Sequence, residues 1–309
     1  MPFKFFKGQD AGDTAAQEQA RRDAESLASL RGGGLPTRAT ERLTMKAASG
    51  KALWTSNLSV DDALSLGHAQ YQPLEHVLGA SVYHVAYNVN NTGQWRSGDV
   101  AMLSDAMYAA RDLAIGRMVQ EAQLLGAHGI VDVKLEEKAY EWGSNLIDVV
   151  ANGTAVRLTT PTPPLPHPFV CNLPAQKALA LLRLGYIPAH LAMGFSAYYQ
   201  VTSWDDERQK RSWLNNEMTS FTHATNQARH IAMDRMRQDA ARHGADGVLG
   251  ADMRFHIHEV RVSRIPPWSS ESEMIEDHLV RFTAFGTALV ASGRADTLGQ
   301  PHLTLSLNS

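Results

Sequence analysis

The sequence predicts an α+β protein built from two tandem units, each running strand, long helix, strand and closing strand. Three observations predict it. First, residues 110 to 133 read ARDLAIGRMVQEAQLLGAHGIVDV, and 118 positions later the chain reads ARHIAMDRMRQDAARHGADGVLGA, with 10 of 24 positions identical. Self-similarity at a constant offset marks a repeated structural unit. Second, other landmarks recur in the same order: Asn57-Leu58 and Asn172-Leu173, Gly79-x-Ser81-x-Tyr83 and Gly194-x-Ser196-x-Tyr198, Trp95 and Trp213, Gly153-Thr154-Ala155 and Gly286-Thr287-Ala288. Third, the stretch from Thr159 to Pro168, TTPTPPLPHP, holds five prolines, which fix φ, remove amide donors and make an extended spacer between the units.

Residues 1–45 read as a mobile arm with a marginal helix, because the segment is rich in Ala, Arg, Glu and Gln and offers few large apolar side chains to offset its ordering entropy. The first repeat spans 46–160 and opens with a short helix over Val60 to Leu66, signalled by Ser59 and Asp62 in a capping-box pattern. After the Pro-rich linker, 161–168, the second repeat spans 169–292, and Pro174 suits the first turn of the matching helix. Residues 293–309 form a C-terminal tail.

Each short helix leads to a strand rich in aromatic and β-branched residues, VLGASVYHVAY in one repeat and MGFSAYYQVT in the other. A polar connection follows, then the long helix. Its Ala110, Ala114, Met118, Ala122 and Leu125 recur at helical spacing, and Gly126 and Gly244 stand where a left-handed cap ends a helix. The next strand alternates, with Val131, Val133 and Leu135 on one face and Asp132, Lys134 and Glu136 on the other. Both faces of the closing strand, LIDVVANGTAVRL, carry apolar residues, so its second face is expected to meet the other repeat or another subunit. The second repeat carries an insertion at 263–277.

Composition bounds the function. At 309 residues with 44% apolar content, the chain supports real cores. Lys plus Arg (29) nearly balances Asp plus Glu (32), and without a basic stripe no nucleic-acid partner is expected. The lone Cys171 excludes an intramolecular disulfide and any multi-thiolate centre, which fits a cytoplasmic protein. The N-terminus lacks a signal-peptide core and no long apolar run occurs, so no membrane span is expected.

The pattern ARxxAxxRMxxxAxxxGAxG, leading into a strand and closing with GTA, resembles the YbjQ-like family of small bacterial proteins, the so-called heavy-metal-binding domain family. The resemblance covers about 75–158 and 190–291. It implies two tandem dodecin/YbjQ-like β-α-β-β units, each an antiparallel sheet packed on one long helix, assembled into a ring, hence a homo-oligomer. Two fused copies and the 1–45 arm depart from the simple family member, and the arm is open to recruiting a protein partner.

The family label makes a divalent metal ion the one cofactor to weigh. The best local pair is His256 and His258 in FHIHE, two residues apart on a strand and therefore on one face, with a bulge at Glu259 suggested by the change of apolar phase. Two imidazoles make only half a tetrahedral site, so a solvated strand edge beside the insertion is the favoured reading. His128 and Asp246 read as polar turn residues. The paired Arg111 and Arg229, and Arg117 and Arg235, suit either an acidic ligand at a ring interface or ion pairs between repeats. No nucleophile elbow, P-loop, dinucleotide fingerprint or His-Glu-x-x-His is present. The sequence therefore points to a non-enzymatic self-assembling protein, with a metal- or small-ligand-binding module as the alternative.

Overall fold

The computed structural model describes residues 9–49, 54–85, 96–139, 146–160 and 167–291. Trp95, most of the Pro-rich linker and the C-terminal tail lie outside the described residues. The first repeat contains α3 (Val60–His68), β1 (Tyr71–His84), β2 (Gly98–Asp99), α4 (Ala101–Leu124), β3 (Gly129–Ala139) and β4 (Leu146–Leu158). The second contains β5 (Phe169–Val170), α5 (Ala175–Arg183), β6 (Tyr186–Gln200), α6 (Trp204–Lys210), α7 (Thr219–Arg242), β7 (Gly247–Arg264) and β8 (Glu273–Ala291). These make two sheets, ordered β1-β4-β3-β5 and β2-β6-β8-β7. The α+β class holds, and each sheet carries one long helix. The short strands are exchanged: β5 of the second repeat pairs with β3, and β2 of the first pairs with β6.

The alanine periodicity explains how each long helix lies on its sheet. Ala110, Ala114, Met118 and Ala122 are fully buried on α4, and Ala228, Ala232, Met236 and Ala240 repeat that stripe on α7. Small side chains bring the helix backbone onto the strand. A Cβ at Gly79 would stand 1.9 Å from the Ala114 carbonyl oxygen, and one at Gly194 would stand 1.7 Å from that of Ala232. The Gly-x-Ser landmarks are thus packing devices, and the Ser196 hydroxyl donates to the Ala228 carbonyl at 2.7 Å.

Three other landmarks converge on a second shared device. Both repeats break register after the Gly-Ala-x-Gly turn, between Val131 and Lys134 and between Leu249 and Asp252. The bulge holds a left-handed residue at equivalent positions, Asp132 (φ 52) and Gly250 (φ 64). Asn57 donates to the Asp132 carbonyl and carboxylate and accepts from the Thr154 hydroxyl. Asn172 donates to the Gly250 carbonyl at 2.7 Å and accepts from Thr287 at 2.5 Å. Asn-Leu, the bulge and Gly-Thr-Ala form one lock in each repeat.

The bulge corrects two readings. Strict alternation fails, because Val131 turns into a cluster with α3 and α5 while Val133 and Leu135 join the main core. The irregularity also lies at Gly250, whereas pairing runs unbroken from Asp252 to Arg264 past Glu259. A third correction concerns His128, which is buried. Its Nδ1 accepts from the Leu158 amide at 3.1 Å, as Asp246 accepts from that of Ala291, so both pin the end of the closing strand.

The insertion at 263–277 lengthens the β7–β8 hairpin. Its fully buried Asp277 accepts from Tyr199 Oη at 2.6 Å, from the Thr202 amide at 2.8 Å and from Arg264, so the carboxylate is paired rather than stranded. The prediction of a two-faced closing strand holds for β8: Val280, Phe282, Ala284 and Ala288 face α7, while Leu279 and Phe285 enter the core shared with the first repeat.

The N-terminal segment differs most from its reading as a mobile arm. It forms α1 (Gln9–Arg31) and α2 (Thr37–Ser49), and Leu43 is fully buried in the main core. The turn between them docks on α4 because Arg117 donates to the Gly34 and Leu30 carbonyls at 3.1 and 3.0 Å. Composition missed this anchoring because the holding groups are backbone carbonyls and an arginine distant in sequence.

Candidate functional site

The junction of the two repeats gathers a set of charged and titratable groups from α4, β6 and α7. Strand β6 leaves a row of backbone groups beyond its pairing with β8, and the first turns of α4 run along that edge. The Val100 amide donates to Ala197 at 2.7 Å, and Tyr108 Oη accepts from the Phe195 amide at 3.0 Å. Arg235 on α7 donates to the Phe195 carbonyl at 2.7 Å, Asp99 Oδ2 at 2.7 Å and Ser104 Oγ at 2.9 Å. An edge that would otherwise template other strands is thereby covered.

Further along, Arg111 reaches across from α4. Its side chain is 4% exposed; it donates to the Leu191 carbonyl and stands 3.3 Å from His190 Nε2 and 3.7 Å from Asp239 Oδ2. The same Asp239 oxygen accepts from the Met193 amide at 3.0 Å and lies 3.3 Å from His190 Nε2. Although burial pushes the Asp239 carboxyl upward, the hydrogen bonds from His190 and Met193 and the Arg111 charge hold it down at about 2. One turn on, the His243 ring stacks on His190 at 3.8 Å.

His190, Asp239 and His243 place a ligand atom each within 4.8 Å of one another, the metal-type cluster found among the described residues. The donors are already committed, however. His243 Nδ1 lies 2.9 Å from the Asp239 carbonyl oxygen, and Arg111 neutralises the carboxylate. A divalent ion bound there would lie about 4 Å from the guanidinium and meet an opposing term of about 8 kcal/mol at an effective dielectric of about 20. The cluster therefore fits an ion-pair seat and does not fit a metal centre.

His256 and His258 share one face of β7 and are exposed, opposite Arg281 and Leu279. No third His, Cys, Asp or Glu joins them in a metal-type cluster among the described residues. Partial burial, Arg281 and His256 all lower the His258 pKa, and the guanidinium would also oppose a bound cation. Arg111 and Arg235, by contrast, form ion pairs between the repeats, with Asp239 and Asp99, whereas Arg117 donates to backbone carbonyls of the N-terminal segment and β1. The sequence reading passed over His190, Asp239 and His243. One signal was present: Asp239 matches Glu121 at the 118-residue offset, and the Leu78 amide donates to Glu121 at 2.9 Å just as that of Met193 donates to Asp239.

Among the described residues, no strand pairs with the far edge of the second sheet. Strand β7 ends the order, and Leu249, Met253, Phe255 and Ile257 on it are 48%, 48%, 57% and 48% exposed. Their counterparts Val131 and Leu135 in the first repeat are 2% and 1% exposed. For Val131 the difference is a neighbour, whereas Leu135 lies in the main core. Phe169 and Val170 add to β3, Cys171 and Leu173 bond the bulge at Val133 and Asp132, and Phe169 lies against Gly129 so closely that a Cβ there would meet its ring at 2.2 Å. Among the described helices none is long and apolar enough to cross a membrane.

Comparison with known proteins agrees with this architecture. The YbjQ family model, described as "Putative heavy-metal-binding", matches residues 77–159 and 208–291, taking in the long helix and the two strands after it each time, with most of β1 in the first match and without β6 in the second. An encapsulin nanocompartment protein of Mycobacterium tuberculosis is 32% identical over 275 residues, 88% of this chain and 97% of that protein. A UPF0145 protein of Natronomonas pharaonis is 42% identical over 62 residues, covering 20% of this chain and 57% of its own. One of Clostridium perfringens is 39% identical over 59 residues, covering 19% and 54%. None of these names states an enzymatic activity. With the family's domain present twice and its helix, capping turn and closing strand in place both times, the chain belongs to the YbjQ family as a tandem member.

Proposed function

We propose that this protein is a non-enzymatic, self-assembling component of a closed homo-oligomeric particle, and that the open side of its second repeat is the association surface. The observation that carries the reading is the contrast between the two equivalent strands β3 and β7. Within the chain, the start of the second repeat covers the edge of β3 and buries Val131 among Cys171, Ala175 and Leu179; β7 presents Leu249 at the same position half exposed, and among the described residues no strand pairs with its outer edge. A second copy offers the matching cover, since Trp54 and Val60, at the start of the first repeat, are 47% and 77% exposed. Such a contact is heterologous, and repetition closes it into a ring when the rotation permits. The relative named for an encapsulin nanocompartment supports a role within a larger protein assembly.

Sedimentation equilibrium of the full chain tests this. The expected result is a discrete multiple of 33.9 kDa at micromolar concentration; a monodisperse 33.9 kDa monomer across the concentration series overturns it.

A further inference from the structure

The two repeats differ in what lies along the free edge of their first long strand, and the comparison identifies the N-terminal helices. On the second repeat, the edge of β6 is occupied by the first turns of α4. Asp99 and Ser104 meet Arg235, and seven residues after Ser104, Arg111 meets Asp239. On the first repeat the equivalent seat is Arg117 and Glu121, on the edge of β1. Arg117 donates to the Ala80 carbonyl at 2.6 Å as Arg235 does to that of Phe195. Here the occupant is the arm. The carbonyls of Leu30 and Gly34 meet Arg117, and further along Arg42 stands 3.9 Å from Glu121 while Lys46 pairs with Glu75, the counterpart of His190. The α2 helix thus runs along β1 in the direction in which α4 runs along β6, and delivers Arg42 to Glu121 as α4 delivers Arg111 to Asp239.

The chain also carries a second segment built for that seat. Glu217, Thr222 and Arg229 are the 118-residue counterparts of Asp99, Ser104 and Arg111, with the same charge or hydroxyl at each position, and all three are exposed. Just before them Trp213 is fully exposed and Leu214 is 77% exposed. Charge order is complementary: Glu217 and Thr222 suit Arg117, and Arg229 suits Glu121.

We propose that the β1 edge of the first repeat is a docking seat for the Glu217–Arg229 face of a second copy, and that α2 is a built-in competitor for it. This deepens the assembly reading and rests on it for the identity of the incoming chain. With α2 docked, a neighbouring copy engages β7 alone. With α2 displaced, the same neighbour completes an interface of the kind that joins the two repeats within one chain, and a heterologous contact that does not close extends without limit. The competitor sets how far assembly proceeds.

The test uses full-length variants compared by mass photometry and sedimentation velocity over a concentration series. Arg42 is half exposed, so Arg42→Glu leaves the core intact while repelling Glu121; Arg42→Glu with Lys46→Glu displaces α2 further. The expected result is larger species that form at about tenfold lower concentration than in the unaltered protein, with faster amide exchange over residues 37–49. Adding Arg229→Glu to either variant returns the size to that of the unaltered protein, whereas Arg229→Glu alone leaves it unchanged. Unaltered size in both arm variants, or growth that Arg229→Glu does not reverse, overturns the proposal. The assembly reading fails separately, if the unaltered protein is a monomer.

Discussion

Replacing Phe255 and Ile257 by lysine removes the proposed association surface of β7 while leaving the sheet beneath it. Both side chains project on the α7 side of the sheet, where Phe255 stands over Phe282 with ring centroids 6.5 Å apart and about half of each side chain is in water. Full burial of such a side chain contributes about 2 kcal/mol, so seating the exposed half of each contributes about 1 kcal/mol, or about 2 kcal/mol for the pair. Two lysines on a strand edge also oppose addition of another chain. The dissociation constant of the assembly rises by at least about 30-fold, since every 1.4 kcal/mol is a factor of ten. Mass photometry across a dilution series reads the change directly, and circular dichroism with a thermal melt confirms that the isolated chain stays folded. A double variant that is folded and associates at the unaltered concentration refutes the reasoning, because the surface then lies elsewhere.

Asn172→Ala removes the donor to Gly250 and the acceptor for Thr287, two hydrogen bonds at net values near 1 kcal/mol each, so urea denaturation should show a loss of about 2 kcal/mol; a change under 0.5 kcal/mol would show the bulge to be self-supporting. Asp239 titrates at about 2 against an ordinary 3.8, so its contribution is present above pH 3.8 and is lost as pH falls through 2. Asp239→Asn should therefore cost about 2 kcal/mol at pH 6 and much less near pH 2, measured by urea unfolding at both values, and equal cost at the two would contradict the assigned ion pairing. Metal analysis of chelator-free protein should give the same content for His256→Ala/His258→Ala as for the unaltered chain; loss of a stoichiometric metal in the double variant would restore a binding role to that pair.

The fold was legible because the sequence repeats itself at the positions where geometry is least forgiving. Glycine at 79 and 194, alanine at 114 and 232, and glycine at 126 and 244 each answer a close approach or a positive φ, and only these residues answer it without strain. The bulge was not legible in the first repeat, where an aspartate takes the left-handed position that a glycine takes in the second. Apolar spacing alone cannot report an extra residue in a strand. The junction cluster was hidden for a different reason: its members come from α4, β6 and α7, and its two forms use unlike residues, Glu75 with Glu121 in one repeat and His190 with Asp239 in the other. Identity matching discards such positions even when the roles agree.

That division shows where to look for what distinguishes this chain from a single-domain relative. Positions that keep identity, such as Arg117 and Arg235 or Thr154 and Thr287, maintain the unit and make equivalent bonds in both copies. Positions that change identity while keeping their partner's chemistry, such as His128 and Asp246, also serve the unit. The remainder differ in environment rather than in residue type: Arg111 is buried against a neighbour and Arg229 faces solvent, and Val131 is covered where Leu249 is bare. A fused pair needs no exposed counterpart to its internal junction if it acts alone, since solvent selects against keeping half-exposed Leu249, Met253, Phe255 and Ile257 on one edge strand. Residues retained at the same positions and with the same charge order are what the proposed contact with a second copy requires.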